Sequence, residues 1–134
     1  MKIKISILGS TGSIGSNTFK IIDKKKKLFN VILLAANKNY SLICKQIIKY
    51  NPKFFIVSDK LVFKKVKNRF KKNRIKILNR FQDLKLKSKI DVTISAIPGL
   101  CGLEPTLEIM KSSRKILLAN KESIICGWHL IERQ

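Results

Sequence analysis

The feature that most restricts this chain is a glycine-spaced turn near its start. Gly9-Ser10-Thr11-Gly12-Ser13-Ile14-Gly15 follows an apolar strand over Ile3–Leu8 and precedes a helical stretch reaching about Lys26. Ile14, Phe19 and Ile22 mark one side of that stretch. The spacing is G-x-x-G-x-x-G, a relative of the G-x-G-x-x-G pattern that joins the first strand and helix of dinucleotide-binding folds. Glycines permit the sharp turn and a close backbone approach to a diphosphate. The helix start then offers free N–H groups and the positive end of its dipole to that anion. Ser10, Thr11 and Ser13 are expected to add hydroxyl donors. A P-loop is not expected, because Ser16-Asn17 stands where Lys-Ser/Thr belongs after the last glycine.

The rest of the chain keeps the same rhythm. Val31–Ala36 is a near-continuous apolar run, as in a strand covered on both faces. Ser41 is expected to cap a helix running to about Tyr50. Phe54–Val57, Ile75–Leu78, Ile90–Ala96 and Ile116–Ala119 read as further strands, with helices over Leu61 to about Lys71, over Leu103–Met110 and from near Glu122 onward. Strands alternating with helices specify an α/β fold: a Rossmann-like, doubly wound, mostly parallel sheet with helices on both faces. No repeat or Pro/Ser linker divides residues 1–134, so a single domain is expected.

Charge is the second constraint. The formal net charge is +21, which attracts polyanions and brings nucleic acid or an acidic membrane into question. Yet 24 of the 29 basic residues are Lys, whereas base-reading and phosphate-clamping surfaces favour the planar fork of Arg. The segment Lys60–Lys89 holds 13 Lys or Arg against one acid, Asp83. Its helix carries Leu61, Val62, Val66 and Phe70, so it reads as amphipathic with a solvated Lys face. A nucleic-acid partner is therefore not expected. Cys44, Cys101 and Cys126 form no CxxC pair and are expected to be small buried residues rather than nucleophiles or ligands. No apolar run is long enough to span a bilayer, and Met1–Ile5 lacks the hydrophobic stretch of a signal peptide. A reducing, cytoplasmic setting with no membrane is expected.

Two further segments carry polar chemistry at strand ends, where doubly wound folds bind ligands. The second strand ends in Asn37-Lys38-Asn39, with no acid to hold a free ribose hydroxyl pair. Lys38 flanked by two amides instead suits a ribose phosphate, which favours NADP over NAD. The last strand ends in Asn120-Lys121-Glu122-Ser123. Asn120 is placed to bond a ribose or carboxamide, Lys121 a substrate phosphate, and Glu122 a ribose hydroxyl. The competing reading makes Asn120 a helix cap and Glu122 a first-turn acid facing the dipole.

Ile7–Gly15 and Leu118–Ser123, at this separation, resemble the opening of 1-deoxy-D-xylulose 5-phosphate reductoisomerases, as do Ala96-Ile97-Pro98-Gly99, Gly102-Leu103 and Pro105-Thr106. The resemblance covers nearly the whole chain, and the Asn-Lys-Glu-Ser block sets it apart from other NADP-dependent oxidoreductases, the alternative reading. It implies the NADPH-binding portion of an enzyme that converts 1-deoxy-D-xylulose 5-phosphate to 2-C-methyl-D-erythritol 4-phosphate in non-mevalonate isoprenoid synthesis, as a homodimer using Mg or Mn. By motif position, Gly9, Thr11, Gly12, Ser13 and Ile14 would line the cofactor phosphates. Asn37, Lys38 and Asn39 would meet the ribose phosphate, Asn120 and Glu122 the cofactor further along, and Lys121 the phosphorylated sugar. Asn37 stands where the family commonly has Gly, and Pro98 replaces a small or aliphatic residue. The family's metal-binding Asp-Ser-Glu stretch is not among these residues, so this chain alone is expected to be catalytically incomplete and to hold no metal.

Overall fold

In a computed structural model describing all of residues 1–134, six strands form one sheet. They are β1 (Ile3–Leu8), β2 (Phe29–Ala36), β3 (Phe54–Val57), β4 (Lys76–Leu78), β5 (Ile90–Ser95) and β6 (Ser113–Leu118). Every pairing is parallel, and the spatial order is β4-β3-β2-β1-β5-β6. Helices α1 (Ser13–Lys24), α2 (Tyr40–Tyr50), α3 (Lys60–Arg69), α4 (Leu103–Met110) and α5 (Lys121–Ile131) make the remaining layers. The doubly wound fold expected from the alternation is the one found. The strand order reverses between β1 and β5, and a crevice opens beyond the carboxyl ends of those two strands, as such reversals require.

The central strands are buried on both faces, which explains their unbroken apolar runs: Val31 to Ala36 are all buried. One face of the sheet packs Ile5, Ile7, Leu34 and Phe55 against Phe19 and Ile22 of α1, Ile43 and Ile47 of α2, and Val66 of α3. The other face has a smaller core built on Leu8, Leu33, Ile56, Ile90 and Ile109. Polar residues inside the strands pair with each other, as buried hydroxyls must. Thr93 on β5 bonds Ser6 on β1 at 2.7 Å and Ser113 on β6 at 2.6 Å.

On the α1–α2 surface, Tyr50 stacks on Phe19 with ring centroids 4.2 Å apart, and its hydroxyl donates to Asp23 at 3.1 Å. Lys49 bridges the same carboxylate at 2.5 Å. That hydrogen bond holds the Asp23 carboxyl below the usual carboxylate range and raises the Lys49 ammonium.

Several local expectations are corrected. Asn39, not Ser41, caps α2, accepting from the Leu42 amide at 3.1 Å. β6 begins at Ser113, three residues earlier than its apolar signal, because Ser113 continues the hydroxyl ladder and pairs with Ile90. Ile14 and Leu61 are exposed rather than core. The buried stripe of α1 is Gly15, Phe19 and Ile22, and Leu61 lies on the outer side of α3, away from Val66. Cys101 and Cys126 are exposed, and only Cys44 is buried. No helix is long and apolar enough to cross a membrane.

Candidate functional site

The glycine turn is held from three sides. The Gly9 and Ser10 amides both donate to the Ala35 carbonyl of β2 at 2.9 Å, and the Gly12 amide donates to the Gly9 carbonyl at 3.1 Å. Gly9 has φ +81°, and a Cβ there would lie 2.5 Å from the Ala96 carbonyl at the end of β5. Its glycine is required by conformation and by this close approach. A Cβ on Gly15 would lie 2.6 Å from the Gly9 and Ser10 carbonyls, so the third glycine seats α1 on the turn. Gly12 is different, because its Cβ would meet only the Gly9 carbonyl oxygen, at 3.5 Å, an ordinary van der Waals contact.

The amides of Thr11, Ser13, Ile14 and Gly15 donate to no protein acceptor. Helix α1 has neither a capping side chain nor an acid in its first turn. The other four helices each carry one or both: caps from Asn39, Asp59 and Asn120, and Glu104 at the start of α4. An uncapped helix start with free backbone donors is the kind of arrangement that binds anions in dinucleotide-binding folds.

Across the crevice, α5 begins with Asn120-Lys121-Glu122. A cavity of about 360 Å³ is lined on one side by Gly12, Ser13 and Ile14 and on the other by Asn120, Lys121 and Glu122, with Ala96, Pro98 and Ala119 between them. Residues more than a hundred positions apart thus share one concave surface. Lys121 is exposed and Glu122 half-buried, both in the first turn of α5. Asn37, Lys38 and Asn39, all exposed, lie beyond the end of the neighbouring strand β2, outside that cavity. The Asn39 side-chain oxygen is committed to capping α2, which leaves its amide nitrogen available.

The side chains of two residues expected to meet a ligand are engaged within the protein. Asn120 is buried. Its oxygen accepts from the Ser123 amide at 3.1 Å, and its amide nitrogen donates to the Ile97 carbonyl and, at 2.8 Å, to the Gly99 carbonyl. Its side chain ties the crevice wall together, and Asn120 also lines the cavity. Ser10 is fully buried and donates to Gln46 at 2.7 Å, so its hydroxyl cannot serve a phosphate. Gln46 carried no signal in the sequence, being one polar residue in an otherwise ordinary amphipathic helix.

A second cavity, of about 350 Å³, opens at the amino ends of the strands, with Lys53, Arg74, Lys85 and Lys87 on its rim. It lies at the end of the sheet opposite the strand-order reversal. No group of three or more His, Cys, Asp or Glu side chains is brought together in a way that would hold a metal ion.

The sequence model of the 1-deoxy-D-xylulose 5-phosphate reductoisomerase family matches residues 5–127. The chain belongs to that family. A reductoisomerase of Pelagibacter ubique is 46% identical over 134 residues, covering 97% of this chain and 34% of the relative. One from Buchnera aphidicola is 42% identical over 130 residues, covering 92% of this chain and 33% of the relative. The chain therefore spans about a third of the length of the curated reductoisomerases it matches. Among solved structures, the Zymomonas mobilis reductoisomerase in complex with NADPH superimposes with a TM-score of 0.87 at 27% identity, covering 98% of this chain and 35% of that one. A reductoisomerase complex with NADPH, fosmidomycin and magnesium, 24% identical with a TM-score of 0.88, shares the fold. Against this family background, the glycine turn and the Asn-Lys-Glu-Ser block form the two walls of one crevice.

Proposed function

We propose that residues 1–134 form a single NADPH-binding unit of a 1-deoxy-D-xylulose 5-phosphate reductoisomerase. The observation that carries this reading is the start of α1, where four amides have no protein acceptor and two of them, those of Ser13 and Ile14, belong to residues lining a cavity closed on its far side by α5. A diphosphate fits there, since the amides supply its hydrogen bonds, the dipole supplies attraction, and Gly12 leaves room. The likeness to a reductoisomerase solved with NADPH supports the same placement.

In this reading Thr11, Ser13 and Ile14 hold the diphosphate through backbone amides, with the hydroxyls of Thr11 and Ser13 beside them. Gly9 keeps the turn in register. Lys38, with Asn37 and the amide nitrogen of Asn39, receives the adenosine ribose phosphate, and no acid in that loop repels it. Glu122 accepts from a ribose hydroxyl further along the crevice. Lys121, exposed at its edge, meets the phosphate of the sugar substrate. The cofactor supplies a hydride. The whole enzyme's reaction, conversion of 1-deoxy-D-xylulose 5-phosphate to 2-C-methyl-D-erythritol 4-phosphate on the non-mevalonate isoprenoid route, also draws on Mg or Mn. The residues of this chain do not fit that metal, because they bring no cluster of ligands together. We assign the protein to the cytoplasm, where the exposed thiols of Cys101 and Cys126 stay reduced, and assign the assembled enzyme as a homodimer.

Thermal melting with NADPH, NADH and no nucleotide tests the reading. A ligand at a hundred times its Kd adds about 2.7 kcal/mol of stability to the state that binds it. NADPH should raise the melting temperature dose-dependently and NADH should do so less. No shift with NADPH at millimolar concentration refutes the assignment.

A further inference from the structure

We infer that Gln46 is a positioning residue for the dinucleotide, setting the direction of a phosphate-binding amide it does not itself touch. The inference rests on the NADPH reading above. Gln46 lies on α2, in the face buried with Ile43 and Ile47, and is 4% exposed. Its amide nitrogen donates to the Ser10 carbonyl at 2.9 Å, and its oxygen accepts from the Ser10 hydroxyl at 2.7 Å. A carbonyl can only accept, so the nitrogen must face it. The hydroxyl then has the oxygen as its partner, and the orientation of the side chain is determined by its surroundings.

The consequence follows from peptide geometry. The Ser10 carbonyl and the Thr11 N–H belong to one trans peptide unit and point in opposite directions. Drawing the carbonyl toward Gln46 therefore turns the Thr11 N–H away from α2, where no protein group accepts it. Gly15 of α1 comes close to the same carbonyl, since a Cβ built there would lie 2.6 Å from its oxygen. The Ser10–Thr11 unit is thus held by α2 and packed close against α1, and the direction of the Thr11 N–H is set before any ligand arrives. Pre-set donors avoid the cost of ordering a loop on binding. A buried amide beside an apolar stripe also carries a desolvation cost, which these reciprocal bonds offset.

The test is NADPH affinity in folded protein, measured by titration well below the melting temperature for the unaltered chain, Gln46→Met, Gln46→Glu and Ser10→Ala. Gln46→Met keeps the size and removes both bonds, so the Kd for NADPH should rise about tenfold, the loss of about one net hydrogen bond. Gln46→Glu sets a carboxylate against the Ser10 carbonyl and should weaken binding at least as much at neutral pH. Its affinity should recover as the pH falls and the introduced carboxyl regains a donor, a response that lost packing alone would not give. Ser10→Ala keeps the bond to the carbonyl but frees the amide to turn, and should raise Kd about threefold. A residue that only packs would lower the melting temperature and leave Kd within twofold. That result in the Gln46 variants overturns the inference, as does an unchanged Kd in Ser10→Ala should the Gln46 variants fail to fold. Absence of NADPH binding by the unaltered chain would instead remove the functional reading on which the inference stands.

Discussion

Asn120 donates to the carbonyl of Gly99 at 2.8 Å, so the residue that starts α5 also holds the turn that ends β5. A second donor bond from the same amide reaches the Ile97 carbonyl, and the Asn120 oxygen caps α5 through the Ser123 amide. Gly102 makes room for this side chain, since a Cβ there would collide with the Asn120 side-chain nitrogen. The wall of the crevice is therefore one hydrogen-bonded unit rather than two adjacent loops.

Removing that unit should cost stability. Asn120→Ala loses the cap and leaves two carbonyls short of a donor, for a predicted loss of about 2–4 kcal/mol. Asn120→Asp keeps the cap acceptor but turns a carboxylate oxygen toward both carbonyls. Urea denaturation of both variants measures the effect, and an unchanged midpoint in Asn120→Ala would show that the clamp contributes nothing.

The glycines of the first turn should separate folding from binding. Gly15→Ala places a methyl 2.6 Å from two backbone carbonyls, so it should destabilise the fold by about 3 kcal/mol. Gly12→Ala meets no such obstacle and should fold with nearly unchanged stability. Its methyl projects into the space beside the free amides, so it should weaken NADPH binding about tenfold or more. Paired chemical denaturation and NADPH titration of both variants check the contrast.

Cofactor preference should depend on Lys38. Lys38→Ala removes the only charge of the Asn37-Lys38-Asn39 loop, and a charge-assisted contact to the ribose phosphate should be lost with it. NADPH affinity is expected to fall about tenfold while NADH affinity stays the same. Equal losses for both nucleotides would place Lys38 away from the phosphate.

Acid sensitivity should trace in part to Asp23. The hydrogen bond from Lys49 lowers its folded-state pKa below the ordinary carboxylate value near 4. A carboxyl with a depressed folded pKa adds stability at pH values above its unfolded pKa, and that stability is lost as pH falls through the folded value. Both side chains are substantially exposed, so the contribution is small. Melting curves between about pH 2 and pH 6 should therefore show a slightly shallower acid decline for Asp23→Asn than for the unaltered chain. Identical slopes would mean that the pair is solvent-screened to nothing.

The strand and helix pattern was legible because it is written locally. Val31–Ala36 is apolar without interruption, a signature of burial on both faces, and it became the second strand of the sheet. Gly9 and Gly15 announced a turn that only glycine can make. Side-chain destinations were less legible. Ser10 and Ser13 look alike as hydroxyls in a glycine turn, yet one is sealed against α2 and the other lines the cavity. Asn120 has equal credentials as ligand contact and as cap until the position of Gly99 is known.

From the chain alone, then, came the α/β alternation, the glycine turn at the first helix and the absence of an acid after the second strand. These are properties of neighbouring residues, governed by backbone sterics, side-chain period and local charge. Tertiary structure alone decided that Gln46 faces Ser10, that Asn120 clamps the turn after β5, and that Ser13 and Lys121 line one cavity. Such contacts join residues 21 to 108 positions apart, and only the order of the strands, which reverses between β1 and β5, brings those positions into reach.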